Sequence, residues 1–162
     1  MSDDIDVREF TLRSEIAPAL DQLLGEAHDT IRVFDPDLSE CGYETRLREE
    51  LLERFLRARH TNRLLIVLHD STYLTTRCAR MSTLLRKFTD TIEVRCTQPH
   101  VRNASDAFAI VDDTAYWRRI HRDHARAKLV HGDHATLHAL VQRFEQLWEA
   151  SDPLATGTVL GL

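Results

Sequence analysis

Residues 63 to 70, RLLIVLHD, constrain the fold more than any other stretch. Every residue from Leu64 to Leu68 is apolar, two of them are β-branched, and the run offers no polar side to solvent. Such a run suits a strand covered by helices on both faces, as in a parallel sheet. The flanks agree. Leu47, Leu51 and Phe55 recur at helical spacing before it, and Leu74, Cys78, Met81, Leu84, Leu85 and Phe88 recur after it. TIRVF (30–34) and TIEVRCT (91–97) read as strands on either side, so strand, helix, strand, helix, strand makes two crossover units. Upstream, Ile16, Leu20, Leu23, Leu24 and Ala27 form one face of a first helix, with Ser14 expected as its cap and Pro18 early enough to be tolerated.

The last third has a different rhythm. DAFAIVD, AYWRRIH and RAKLVH are short strand candidates with short gaps, which favours hairpin-like antiparallel pairing and makes the sheet mixed. A closing helix begins near Asp133, carries Leu137, Leu140, Val141, Phe144, Leu147 and Trp148 on one face, and stops before Pro153. The expected fold is therefore α/β, a mixed β-sheet flanked by helices on both faces. It occupies residues 14–152 as a single domain, after a polar lead-in (1–13) and before a C-terminal tail (153–162).

Charge bears on partners. The chain has 26 acidic and 21 basic residues, a net charge of -5, and so lacks the basic excess of a protein held to phosphates by overall charge. On that ground nucleic acid is disfavoured as a partner. Cys41, Cys78 and Cys96 show no C-x-x-C spacing, so neither a disulfide framework nor a zinc ribbon is indicated. MSDDIDVREF carries no basic segment followed by an apolar one, and no stretch approaches the roughly 18 apolar residues of a membrane helix. A cytoplasmic protein with no membrane association and no cofactor is expected.

The order of elements resembles one half of a phospholipase D superfamily enzyme, over roughly residues 15–151. LDQLLGEAHDTIRVFDP matches the opening helix and strand, REELLERFLRARHTNRLLIVLHD the next pair, and RAKLVHGDHATLHALVQRFEQLWEAS the closing strand, acidic turn and helix. The family motif is His-x-Lys-(x)4-Asp, followed by Gly-Ser-x-x-Asn. Laid on DAFAIVDD, its His falls on Asp106, its Lys on Phe108 and its Asp on Asp113, and only the last is retained. The Gly-Ser-x-x-Asn positions fall on Ile120, His121, Arg122, Asp123 and His124. No His stands two residues before a Lys anywhere, and the only lysines are Lys87 and Lys128.

In the family, the His attacks phosphorus and the lysines hold phosphate charge. With Asp106 and Phe108 in those places, covalent attack and electrostatic clamp are lost together. The resemblance thus implies a catalytically degenerate half, a bacterial module that binds a phosphorylated small molecule or, by preference, a protein partner. It also implies a homodimer, because family relatives place two such halves face to face. The alternative is an enzyme with a rebuilt site, in which His121 and His124 with Asp106 or Asp113 bind a metal or act as acid and base in phosphodiester hydrolysis. No metal is expected, and His121 and His124 are the first candidates were one bound. Alternation along YWRRIHR sends Arg118 and Arg122 to one side as the candidate anion-binding pair. The bland reading of this cluster is a strand edge decorated with charge.

Overall fold

The apolar run becomes the middle of the parallel part of the sheet. In the computed structural model, which describes residues 4–154, β3 (Arg63–Leu68) lies between β2 (Thr30–Asp35) and β4 (Ile92–Thr97), parallel to both. Leu64, Ile66 and Leu68 enter one core and Val67 enters another on the opposite face. The larger core lies under α1 (Arg13–Gly25), α2 (Arg46–Ala58), α3 (Thr72–Thr76) and α4 (Ala79–Lys87). The smaller lies under α5 (His134–Glu149) alone.

Beside β2 the sheet continues antiparallel through β5 (Ala107–Val111), β6 (Ala115–Arg119) and β7 (Ala127–His131). On the α1 side these strands present Ala107, Ala109, Ala115 and Ala127 together with Val111, Trp117 and Leu129. On the other side they present Phe108, Ile110, Tyr116 and Val130, which fill the space below the single helix. The mixed sheet with helices on both faces is the architecture expected from sequence.

Three local features differ from expectation. The polar lead-in contains a strand, β1 (Asp6–Phe10), paired antiparallel with β7, and the chain after α5 forms β8 (Ser151–Pro153) against β4. The sheet order is β1-β7-β6-β5-β2-β3-β4-β8. Both new strands lie at edges, where the backbone ladder holds a strand whose side chains stay exposed, so neither shows an apolar pattern. Pro153 fits there because an edge residue can do without its N–H. The rest of the expected tail, 155–162, lies outside the described residues. Second, Leu12 and not Ser14 is the N-cap of α1, and the Glu15 carboxylate accepts the Leu12 N–H at 3.4 Å. Third, the single expected helix after β3 is two. The Arg77 and Cys78 N–H groups both donate to the Tyr73 carbonyl, at 2.9 and 3.0 Å, and close α3 before α4 starts.

The hairpin between β5 and β6 turns on two aspartates. Asp112 (φ 52) and Asp113 (φ 53) both take the left-handed conformation that a two-residue hairpin requires and that Asp tolerates better than most residues. Their carboxylates have different work. Asp112 accepts the N–H groups of His28, Asp29 and Thr30 at 2.7, 2.7 and 2.9 Å, tying the hairpin to the α1–β2 link. Asp113, the residue aligned with the family Asp, is exposed and pairs with Arg32 at 2.6 Å.

The two positions share a backbone conformation, so alanine at each incurs the same conformational penalty. Asp112→Ala should therefore lose more stability than Asp113→Ala by about 2 kcal/mol, because only the first leaves charge-assisted bonds to N–H groups unmade. Urea unfolding of both variants measures that difference.

Candidate phosphate-binding site

Asp106 immediately precedes β5 and is buried at 7% exposure. Its two oxygens accept from the two terminal nitrogens of Arg143 on α5, at 2.5 and 2.7 Å. That bidentate geometry matches the planar guanidinium to the carboxylate. The same guanidinium lies 5.3 Å from the centroid of Phe108 and 5.6 Å from that of Phe34. The residue at the family's nucleophile position is thus engaged on both oxygens. The residue at its lysine position is a fully buried ring that supports the engaging cation.

Sequence reasoning missed Arg143, although it left a trace. Arg143 stands three residues after Leu140 and one before Phe144, beside the apolar stripe of α5. A charge in that place needs a partner from the sheet. His69, the residue after the buried run, was also missed. It is 8% exposed, meets the Phe34 ring edge-on at 5.1 Å, and its Nδ1 lies 2.7 Å from the Thr97 hydroxyl. Burial holds its imidazole below its ordinary pKa, so the neutral form dominates in the fold.

Arg118 and Arg122 do not form one site. Alternation holds only to the end of β6 at Arg119, so the expected pairing of these residues is corrected here. Arg122 lies on the α1–α4 side, where its guanidinium meets Glu40 at 3.3 Å and Asp37 at 3.6 Å. Buried Arg119 also meets Glu40, at 3.2 Å. The cavity beside them is only about 10 Å³, about the smallest that holds one water.

Arg118 faces the other way. Across the sheet it stands directly opposite Phe108 on one side and Lys128 on the other. Its Nη2 is 3.5 Å from Asp106, while its buried Nε has no hydrogen-bond partner among the described residues. Lys128 reaches Glu9 of β1 at 3.6 Å. Two cations directly opposite each other on neighbouring strands repel. They border a cleft of about 190 Å³ that Arg126 also lines, with Glu9 as its one carboxylate. α5 packs on β4, β5 and β8 and covers Tyr116 of β6 and Val130 of β7, while Val7 and Ile120 beside this cleft stay exposed.

His121 and His124 lie with ring centroids 5.4 Å apart, and His121 Nδ1 accepts the Asp123 N–H at 3.1 Å. Among the described residues, no three His, Cys, Asp or Glu side chains are grouped as metal ligands would be. Asp133 caps α5 by accepting the Thr136 N–H at 3.2 Å.

The lowered pKa of His69 fixes a sign for pH dependence. The unfolded chain takes up the proton first on acidification, so the neutral-His contribution to stability is complete above about pH 6.5 and declines below it. Thermal melts from pH 7.5 to 5 should show a smaller acid loss for His69→Gln than for the wild type.

TrmBL2, an archaeal chromatin protein whose structure is described as showing a novel mode of DNA binding, superposes with a TM-score of 0.66 at 14% identity. The match covers 93% of this chain and 54% of that one, so the chain spans about half of TrmBL2. The phospholipase D family member Nuc from Salmonella typhimurium gives a TM-score of 0.62 at 10% identity, covering 93% of this chain and 99% of Nuc. NucT from Helicobacter pylori gives 0.63 at 12%, covering 93% and 100%. The fold is phospholipase D-like. No curated protein matches the chain by sequence.

The TrmBL2 match corrects one expectation. Net acidity disfavoured nucleic acid as a partner, yet a protein that binds DNA has this fold. A total of -5 averages over all faces, while binding depends on the potential of one. The model of a domain of unknown function, DUF7931, matches residues 12–156, nearly the whole chain, which therefore belongs to that family.

Proposed function

We propose that this domain is a non-catalytic module that binds the phosphates of a nucleic-acid strand at the cleft of Arg118, Arg126 and Lys128. The observation that carries the reading is the direct opposition of Arg118 and Lys128, with the Nε of Arg118 still without a hydrogen-bond partner among the described residues. A phosphate between them would relieve their repulsion and accept from both.

The state of Asp106 supports the non-catalytic half of this reading. Both oxygens of that carboxylate already accept from Arg143, which engages the lone pairs an attack would use, and Phe108 offers no charge to a phosphoryl transition state. Supporting context comes from fold relatives that include a DNA-binding protein. The three free cysteines suit a reducing compartment such as the cytoplasm, and among the described residues no helix is long and apolar enough to cross a membrane.

Fluorescence anisotropy with a labelled single-stranded oligonucleotide tests the reading. Saturable binding should weaken with salt at a log–log slope of roughly -2, the value for three phosphate contacts on a single strand. Arg118→Ala and Lys128→Ala should each weaken it about tenfold, the loss of one charge-assisted bond, while Arg122→Ala leaves it unchanged. No binding, or binding indifferent to Arg118 and Lys128, contradicts the proposal. Turnover of bis(p-nitrophenyl) phosphate that disappears in Asp106→Ala would contradict the non-catalytic half of it.

A further inference from the structure

The described residues include five exposed large hydrophobic side chains, and four of them surround one strand. Ile5 (55% exposed) and Val7 (48%) belong to β1 or adjoin it, Leu12 (59%) follows it, and Ile120 (56%) lines a cleft of about 260 Å³ together with Val7. β1 ends the strand order, so its outer backbone groups have no strand to pair with among the described residues. Such an edge is a template for another strand.

Charged side chains ordinarily protect an edge, and β1 carries Asp6, Arg8 and Glu9. Protection works when every pairing sets like charges together, and here the pairing centred on Val7 does not. In an antiparallel ladder the two residues of a pair both turn their backbone groups toward the other strand or both away. A strand therefore meets its own copy about an axis that passes through a residue. Axes through Asp6, Arg8 or Glu9 put like charges opposite each other. An axis through Val7 puts Asp6 opposite Arg8 twice on one face of the sheet, and on the other puts Val7 opposite Val7 with Ile5 opposite the aliphatic stem of Glu9 on either side. Arg8 now bonds Gln22 through Nη2 and stands 5.9 Å from the Phe10 ring, which leaves its other donors for a partner.

We infer that β1 is a homotypic interface, at which two copies of the chain pair edge to edge in antiparallel fashion about Val7. The pairing joins two eight-stranded sheets, covers Ile5 and Val7, and brings the two Val7-lined clefts onto one face. It differs from the face-to-face arrangement that the family resemblance implies, and it does not depend on the phosphate reading.

Sedimentation velocity on the full chain over a concentration series is the test. The wild type should form a dimer. Asp6→Arg and Arg8→Asp should each weaken it about tenfold, since each breaks both cross-strand ion pairs and creates like-charge contacts. The double variant Asp6→Arg/Arg8→Asp should return it to near wild-type strength. Circular dichroism of the single variants should be unchanged, because both side chains are exposed. A monomer at every concentration overturns the inference. So does a dimer indifferent to the single changes, or a loss that the double exchange fails to repair.

Discussion

A carboxylate buried beside two phenyl rings must be neutralised, and much of this molecule's character follows from how Asp106 is. Arg143 reaches from the one helix on its side of the sheet, takes both oxygens, and lies near the faces of Phe34 and Phe108. Isolated, that carboxylate would be too costly to hold ionised. Paired, it fixes the start of β5 to α5. The phospholipase D resemblance implies a nucleophile at this place, and in this chain the carboxylate found there joins β5 to α5 through Arg143.

That joint also shapes the rest of the face. α5 packs on β5, β4 and β8 and over Tyr116 of β6 and Val130 of β7, and the part of the face beyond those two residues stays uncovered. The uncovered part carries Arg118 and Lys128 in one cross-strand row, with Val7 and Ile120 beside it. The opposite face has four helices and its own buried charges. Arg48 is fully buried and bonds Asp21 at 2.6 Å, and Gly42, at φ 84, lies so near that an added Cβ would come within 3.2 Å of the guanidinium. Arginines on that side are engaged by loop carboxylates, as the pairing of Arg119 and Arg122 with Glu40 illustrates.

The parts of this account legible in sequence are those written as apolar periodicity. β3 was evident because both of its faces are buried, and α5 because its stripe is long. β1 and β8 were not evident because edge strands are held by backbone bonds, which leave no side-chain pattern. The alignment drew attention to Asp106 and Phe108, yet it could not supply Arg143, which is 37 residues away and meets Asp106 only in space. Arg122 was misplaced because alternation was carried past the end of a strand. Net charge misled on partners because a sum over the chain is blind to which face each charge occupies.

A double-mutant cycle on Asp106 and Arg143 tests the foundation most directly. Asp106→Ala, Arg143→Ala and the double variant are unfolded in urea, and the coupling free energy is taken from the four midpoints. The pair is partly open on the arginine side, so a coupling of about 2 kcal/mol is predicted, at the low end for buried charge pairs. A coupling below about 0.5 kcal/mol, no larger than the usual error of additivity, would mean that the pair is not the joint described here.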